Sequence, residues 1–224
     1  MASTVEGPVR QVSRSHQDAG LLVAATATVL RGGVGPDSLS LGIWFSVALS
    51  PRSPYRYRLG VSGNGWLQAI EQNPDHSAWY IERFRSMAAE GHDLDGEARF
   101  VDAMARRVAW VLDAGCGPGR VGGRLAVLGH HVVGVDIDPE LIAAAETDHP
   151  GPRWLARDLA SLDLASDGVS ERFDIIVSAG NVMTFLDPGT RRDVLRRLLV
   201  HLAADGRVVV GFGAGRGYEF DEFF

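Results

Sequence analysis

The chain has 224 residues, of which 46% are hydrophobic and 22% charged, a size and balance that suit one globular domain with a sizeable core and exclude a disordered chain. A formal charge of −6 gives no net attraction to phosphate backbones, and no basic stripe interleaved with aromatics appears, so nucleic acid is not an expected partner. Cys116 is the single cysteine, which excludes an intrachain disulfide and a one-chain thiolate metal cluster and suits a reducing, cytoplasmic setting.

The apolar runs at 20–30 and 41–50 are too short to span a bilayer, and the first starts too late for an ordinary signal peptide, so no membrane segment is expected. Residues 1–62 are rich in Ser, Gly, Pro and Arg and hold neither a helical nor a strand period; they read as a poorly ordered or atypical N-terminal segment. Residues 63–107 read as an N-terminal helical lid. Asn73-Pro74-Asp75 offers cap and first-turn chemistry for a helix running to about Ala89, and a second helix is predicted over 96–104.

Residues 108–224 read as the core. An apolar run at 108–112 has the length of a buried parallel strand and ends in glycines. The chain then alternates: a helix near 121–128, a strand at 131–135, a helix at 139–147, and a short strand at Trp154-Leu155. A strand at 173–178, a helix at 191–202 and a strand at 207–212 follow. Such alternation gives right-handed crossovers and a Rossmann-like α/β fold, here a five-stranded parallel sheet covered by helices on both faces. In the last helix Val194, Leu195, Leu198 and Leu199 should point inward, leaving the arginines to solvent.

Asp113-Ala114-Gly115-Cys116-Gly117-Pro118-Gly119 falls where the first core strand should end, the place where open parallel sheets bind ligands. Its glycines let the main chain turn sharply and approach a ligand closely. Gly117, Gly119 and Gly122 also satisfy the G-x-G-x-x-G pattern of dinucleotide binders. Asp113 discriminates between ligands, because it would repel a pyrophosphate but attract an ammonium and a sulfonium. Asp136 closes the second core strand, where a carboxylate can accept from both ribose hydroxyls. Asp158 follows the third and could take an adenine amino group, with Ile137 and Leu159 packing the ring.

With an acid after each of three successive strands, 111–138 resembles motif I and its sequel in class I S-adenosylmethionine-dependent methyltransferases, and the resemblance extends over 79–212. It implies S-adenosylmethionine as cofactor. Gly115, Gly117 and Gly119, with Ala114 and Cys116, would line the methionine and ribose, Asp113 hold the amino group, Asp136 the ribose and Asp158 the adenine. The stretch 173–181 resembles motif IV, placing Asn181 near the methionine moiety or the acceptor. In related enzymes a helix before the core folds over the cofactor, which brings in Tyr80 and Arg83.

Each of these residues has a plain structural alternative, since strand-end glycines and acids also build turns and caps. Asp138-Pro139 is read as a cap and first-turn proline, Cys116 as a small packing residue, and Asn181 as either turn or site. His76, His92, His130, His131, His149 and His201 show no metal-ligand spacing. Methyl transfer from a sulfonium needs mainly alignment and water exclusion, so no catalytic residue is singled out.

The resembled fold normally continues with two further strands after the fifth, and here the sequence ends at Phe224. The expectation is a fifth strand with an open edge, covered by a partner such as a second copy, and an N-terminus whose start site was placed too far upstream. The leading expectation for function is methyl transfer to a small-molecule acceptor. A non-catalytic module descended from a methyltransferase and an NAD(P)-binding oxidoreductase stand as alternatives.

Overall fold

A computed structural model of the chain describes residues 26–31, 40–44, 63–213, 216, 218 and 223. Two strands, β1 (Thr26–Arg31) and β2 (Ser40–Trp44), precede three helices, α1 (Gly65–Gln72), α2 (His76–Ala89) and α3 (Gly96–Met104). Then follow β3 (Trp110–Ala114), α4 (Arg120–Val127), β4 (His131–Asp136), α5 (Pro139–Asp148), β5 (Arg153–Ala156) and a 3₁₀ turn (Leu159–Ser161). The remainder is β6 (Phe173–Ser178), α6 (Val182–Phe185), α7 (Arg191–His201) and β7 (Leu202–Phe212).

The strands form one sheet in the order β2-β1-β7-β6-β3-β4-β5. The five from β7 to β5 run parallel, as the alternation predicts. The order reverses between β3 and β6, which is where a parallel α/β sheet opens a crevice at its carboxyl end.

The expected open edge on the fifth strand is not present. β1 pairs antiparallel along β7, from Thr26 opposite Phe212 to Arg31 opposite Arg207, and β2 pairs antiparallel with β1. Thr26, Thr28 and Val29 are β-branched and suit a strand; the segment escapes a periodicity reading because it is short and its partner lies far away in the chain. No strand follows β7 among the described residues, and the rest of 1–62 lies outside them. The edge that motivated a covering partner is therefore filled from within the chain.

Side chains alternate across the sheet and build a core on each face. Val111, Val132, Ile175, Val177 and Val209 meet α3 and α4 through Ala98, Val101, Val121 and Leu125. Leu112, Val133, Val135, Ile176, Val208 and Val210 meet α7 and the 3₁₀ turn through Val194, Leu198 and Leu159. Val194 and Leu198 are fully buried, with Leu195 and Leu199 packed beside them.

Three boundaries differ from expectation: β7 starts at Leu202 rather than at 207, and two others differ for local reasons. β3 starts at Trp110 rather than at 108 because Val108 turns back at φ 56°. The turn is held by His130, whose Nδ1 accepts from Ala109 N at 3.1 Å while Nε2 meets Asp102 at 2.9 Å. At α2, Asp75 occupies the cap position without a side-chain cap hydrogen bond; the expected capping chemistry appears instead one helix earlier, where Asn64 Oδ1 accepts from Trp66 N and Leu67 N.

Candidate functional site

At the carboxyl ends of β3, β4 and β5 a cleft of about 850 Å³, mouth included, opens between the sheet and the helices α1, α2 and α6. Its floor is the glycine loop. Gly115 N and Cys116 N both donate to Val135 O, at 2.7 and 2.9 Å, which fixes the loop to the end of β4. Gly115 takes φ +82°, and a Cβ there would lie 2.4 Å from Val182 Cγ2, so only glycine serves.

Three acids from three adjacent strand ends line this one cleft: Asp113, Asp136 and Asp158. Asp113 is only 2% exposed. Its Oδ2 accepts from Gly122 N at 2.8 Å, an amide in the first turn of α4 that no helical carbonyl reaches. Burial pushes its carboxyl up to about 7, opposed by that hydrogen bond and the nearby Arg120. Asp136, 9% exposed, accepts from Gly117 N at 2.8 Å and from Asp138 N at 3.0 Å. Burial pushes it up to about 6. Asp158 is exposed and heads the 3₁₀ turn, its Oδ1 accepting from Ala160 N at 2.9 Å. Two buried carboxylates whose burial raises their pKa make a cavity that favours a cation or hydroxyl donors.

Other predicted site residues divide. Gly115, Cys116, Gly117, Ile137, Leu159 and Tyr80 line the cleft. Cys116 is 8% exposed, and burial raises its thiol well above the ordinary range, as a packing residue. Ala114 is buried in the sheet core instead. Gly119 faces away, where a Cβ would fall 2.8 Å from Ala145 Cβ and 3.1 Å from the Trp154 ring. Arg83 lies along the outer side of α2, its guanidinium 6.0 Å from Trp79 and 5.5 Å from Phe84 ring centroids. Asn181 is a turn residue at φ 72°, its Oδ1 accepting from Gly213 N at 2.8 Å; the cleft wall there is Ala179 and Gly180. Asp138 caps α5 as expected, accepting from Glu140 N, with Pro139 in the first turn.

Sequence reasoning named Tyr80 for the roof but missed Trp66, Phe84 and Phe185. Trp66, Tyr80, Phe84 and Phe185 form an edge-to-face chain over the cleft, with centroid distances of 5.0 Å for Trp66–Tyr80, 5.7 Å for Trp66–Phe185 and 5.0 Å for Tyr80–Phe84. Arg120 was missed too. It lines the cleft and holds Glu97 bidentately at 2.9 Å, besides donating to Leu94 O. A signal existed: a cation in the first turn of a helix opposes the macrodipole and points to a fixed partner.

In the pattern Gly117, Gly119, Gly122 the last amide is not open to a pyrophosphate. Gly122 N is taken by Asp113, and a Cβ at Gly122 would lie 2.9 Å from the Trp154 ring. Gly119 and Gly122, with Gly134, make room for Trp154 between strand and helix. Among the described residues no group of three or more His, Cys, Asp or Glu could hold a metal, and no helix is long and apolar enough to cross a membrane.

Comparison with known proteins agrees with this geometry. A family model described as a methyltransferase domain matches residues 111–206. Malonyl-[acyl-carrier protein] O-methyltransferase of Pectobacterium atrosepticum is 33% identical over 102 residues, 46% of this chain and 39% of that protein, so the match spans about two-fifths of that relative. The crystal structure of a TehB-like SAM-dependent methyltransferase from Corynebacterium glutamicum is 52% identical with a TM-score of 0.63, covering 67% of this chain and 80% of that one. With this likeness over most of a solved relative and the acids placed as the glycine loop requires, the chain belongs to the class I S-adenosylmethionine-dependent methyltransferases.

Proposed function

We propose that this chain transfers a methyl group from S-adenosylmethionine to a small-molecule acceptor, with the cofactor in the cleft above β3, β4 and β5. The observation that carries the reading is the convergence of Asp113, Asp136 and Asp158 with Gly115 and Gly117 on one cavity. The donor set fits the cofactor. Asp113 suits its ammonium and sulfonium, Asp136 its ribose hydroxyls, and Asp158 with Ile137, Leu141 and Leu159 its adenine. A pyrophosphate cofactor fits poorly, because the α4 amide it would use is already bonded to Asp113.

When bound, S-adenosylmethionine supplies an electrophilic methyl group on an activated leaving group. The residues of the chain then have to orient and exclude water. Trp66, Tyr80, Phe84 and Phe185 do both: they roof the cleft with apolar rings and offer edge and face contacts to an acceptor with an apolar or planar body. Tyr80 stands closest to the loop, its Cε1 3.7 Å from where a Cβ at Gly117 would sit.

The test is label transfer from methyl-labelled S-adenosylmethionine into a panel of small carboxylates, thiols and amines. Transfer to at least one class, lost in Asp136→Ala, is expected; binding of the cofactor with no transfer to any class would overturn the catalytic reading.

A further inference from the structure

Helices α1 and α2 cover the cleft through Trp66, Tyr80 and Phe84. Tyr80 lies over Gly117, its Cε1 3.7 Å from where a Cβ there would sit, and Val182 of α6 packs on Gly115. A cofactor on the loop lies beneath these helices, and its exchange is easier when they move away. What fastens those helices decides how readily that happens.

Their ties to the core are unequal. Arg85 of α2 meets Asp148 of α5 at 2.9 Å, but this pair is exposed to solvent and holds weakly. An apolar seat is made by Trp66 and Ile81 against Leu141 and Ala144 of α5. A buried polar tie is made by Asp138, 3% exposed. Its Oδ2 accepts from the Trp66 indole Nε1 of α1 at 2.9 Å and from the Ser77 hydroxyl of α2 at 2.5 Å. Its Oδ1 caps α5 through Glu140 N at 2.8 Å, and its own backbone N–H donates to Asp136 Oδ1 at 3.0 Å. One residue thus joins both lid helices, the aromatic roof and the acid assigned to the ribose.

We propose that Asp138 is a positioning residue that latches the α1–α2 lid onto the cofactor cleft and sets the rate at which cofactor and product exchange. The inference rests on the reading that this cleft holds S-adenosylmethionine. Charge-assisted hydrogen bonds of this kind are stronger than neutral ones, and here both donors belong to the moving part while the acceptor belongs to the fixed part. Opening the lid leaves the carboxylate without them, so the bonds oppose release as well as unfolding. Occupation of the ribose site acts on the same residue through Asp136, so a filled cleft and a closed lid reinforce each other.

The experiment follows S-adenosylhomocysteine dissociation by stopped flow in wild type, Ser77→Ala and Asp138→Asn. Ser77→Ala removes only the hydroxyl that donates to Asp138 Oδ2. Asp138→Asn keeps an oxygen for the α5 cap and turns an amide toward donors it cannot accept from. The dissociation rate should rise about tenfold in each, as loss of one hydrogen bond to a charged group allows, with the association rate changed less and thermal midpoints lowered. The two changes together should do little more than either alone. An unchanged dissociation rate in variants that still bind, whether or not the midpoint falls, overturns the latch and leaves the cofactor reading intact. Failure of wild type to bind S-adenosylhomocysteine overturns both.

Discussion

Asp113→Asn separates what this carboxylate does for the fold from what it does for the ligand. In the folded chain its carboxyl is pushed up to about 7 by burial, against 3.8 for an ordinary aspartate. Between roughly pH 4 and pH 7 the folded chain therefore keeps a proton that the unfolded chain has released. Stability falls as pH rises through that window and levels off above it. At about 1.4 kcal/mol per pKa unit, the ionised group costs the unliganded fold at most on the order of 4 kcal/mol at pH 8. Asparagine keeps an oxygen for Gly122 N and carries no charge, while its buried NH₂ returns about 1–3 kcal/mol of that gain. A net of about 1–3 kcal/mol corresponds to roughly 3–10 °C in thermal midpoint for a chain of this size. Melting curves of the unliganded protein from pH 5 to pH 8 should show wild type losing stability and Asp113→Asn losing less, with the variant the more stable at pH 8 and the poorer cofactor binder. A variant that melts lower than wild type at pH 8, or follows the same pH slope, would refute the assignment of a raised pKa to this buried acid.

Four further outcomes follow from the same geometry. Because a cationic ligand favours ionised Asp113 and Asp136, held at about 7 and about 6, S-adenosylmethionine affinity should rise from pH 5 to pH 8 with proton release, read as a buffer-dependent calorimetric enthalpy near pH 6.5. Gly134→Ala should destabilise by about 3 kcal/mol, since its Cβ would fall 2.1 Å from Trp154 Cε3, and Trp154→Leu in the same chain should recover part of that loss in urea titrations. Val108→Gly should stabilise by about 1 kcal/mol, because relief of a left-handed β-branched residue outweighs the entropy glycine adds to the unfolded chain; Val108 is 55% exposed and forfeits little packing. Val29→Pro should lower the thermal midpoint markedly, since β1 is flanked by β2 and β7 and proline removes a ladder donor; an unaltered midpoint would mean that the hairpin does not hold the sheet edge.

The parallel core was legible because its strands are apolar runs cut by glycines and its helices carry one wet face, so each element announces its period locally. The acids were legible because a carboxylate at the end of a buried strand is costly unless something uses it. Three things were not. The pairing of 26–31 with β7 is a contact across most of the chain and leaves no local period. The roof is built by Trp66, Phe84 and Phe185 from three helices, and only folding brings those rings together. Gly119 reads as part of the ligand loop, yet the space it leaves is filled by Ala145, His149 and Trp154, residues a motif cannot name. Asp138 lies between the two cases: its cap was visible in Asp-Pro spacing, and its bonds to Trp66 and Ser77 were not.

The measurement that bears most directly on the account is isothermal titration of the chain with S-adenosylmethionine, with Asp136→Ala as control and NAD as competitor. Saturable one-site binding, lost in the variant and undisturbed by NAD, is the predicted result. No binding by a demonstrably folded wild type, or displacement by NAD, would contradict it.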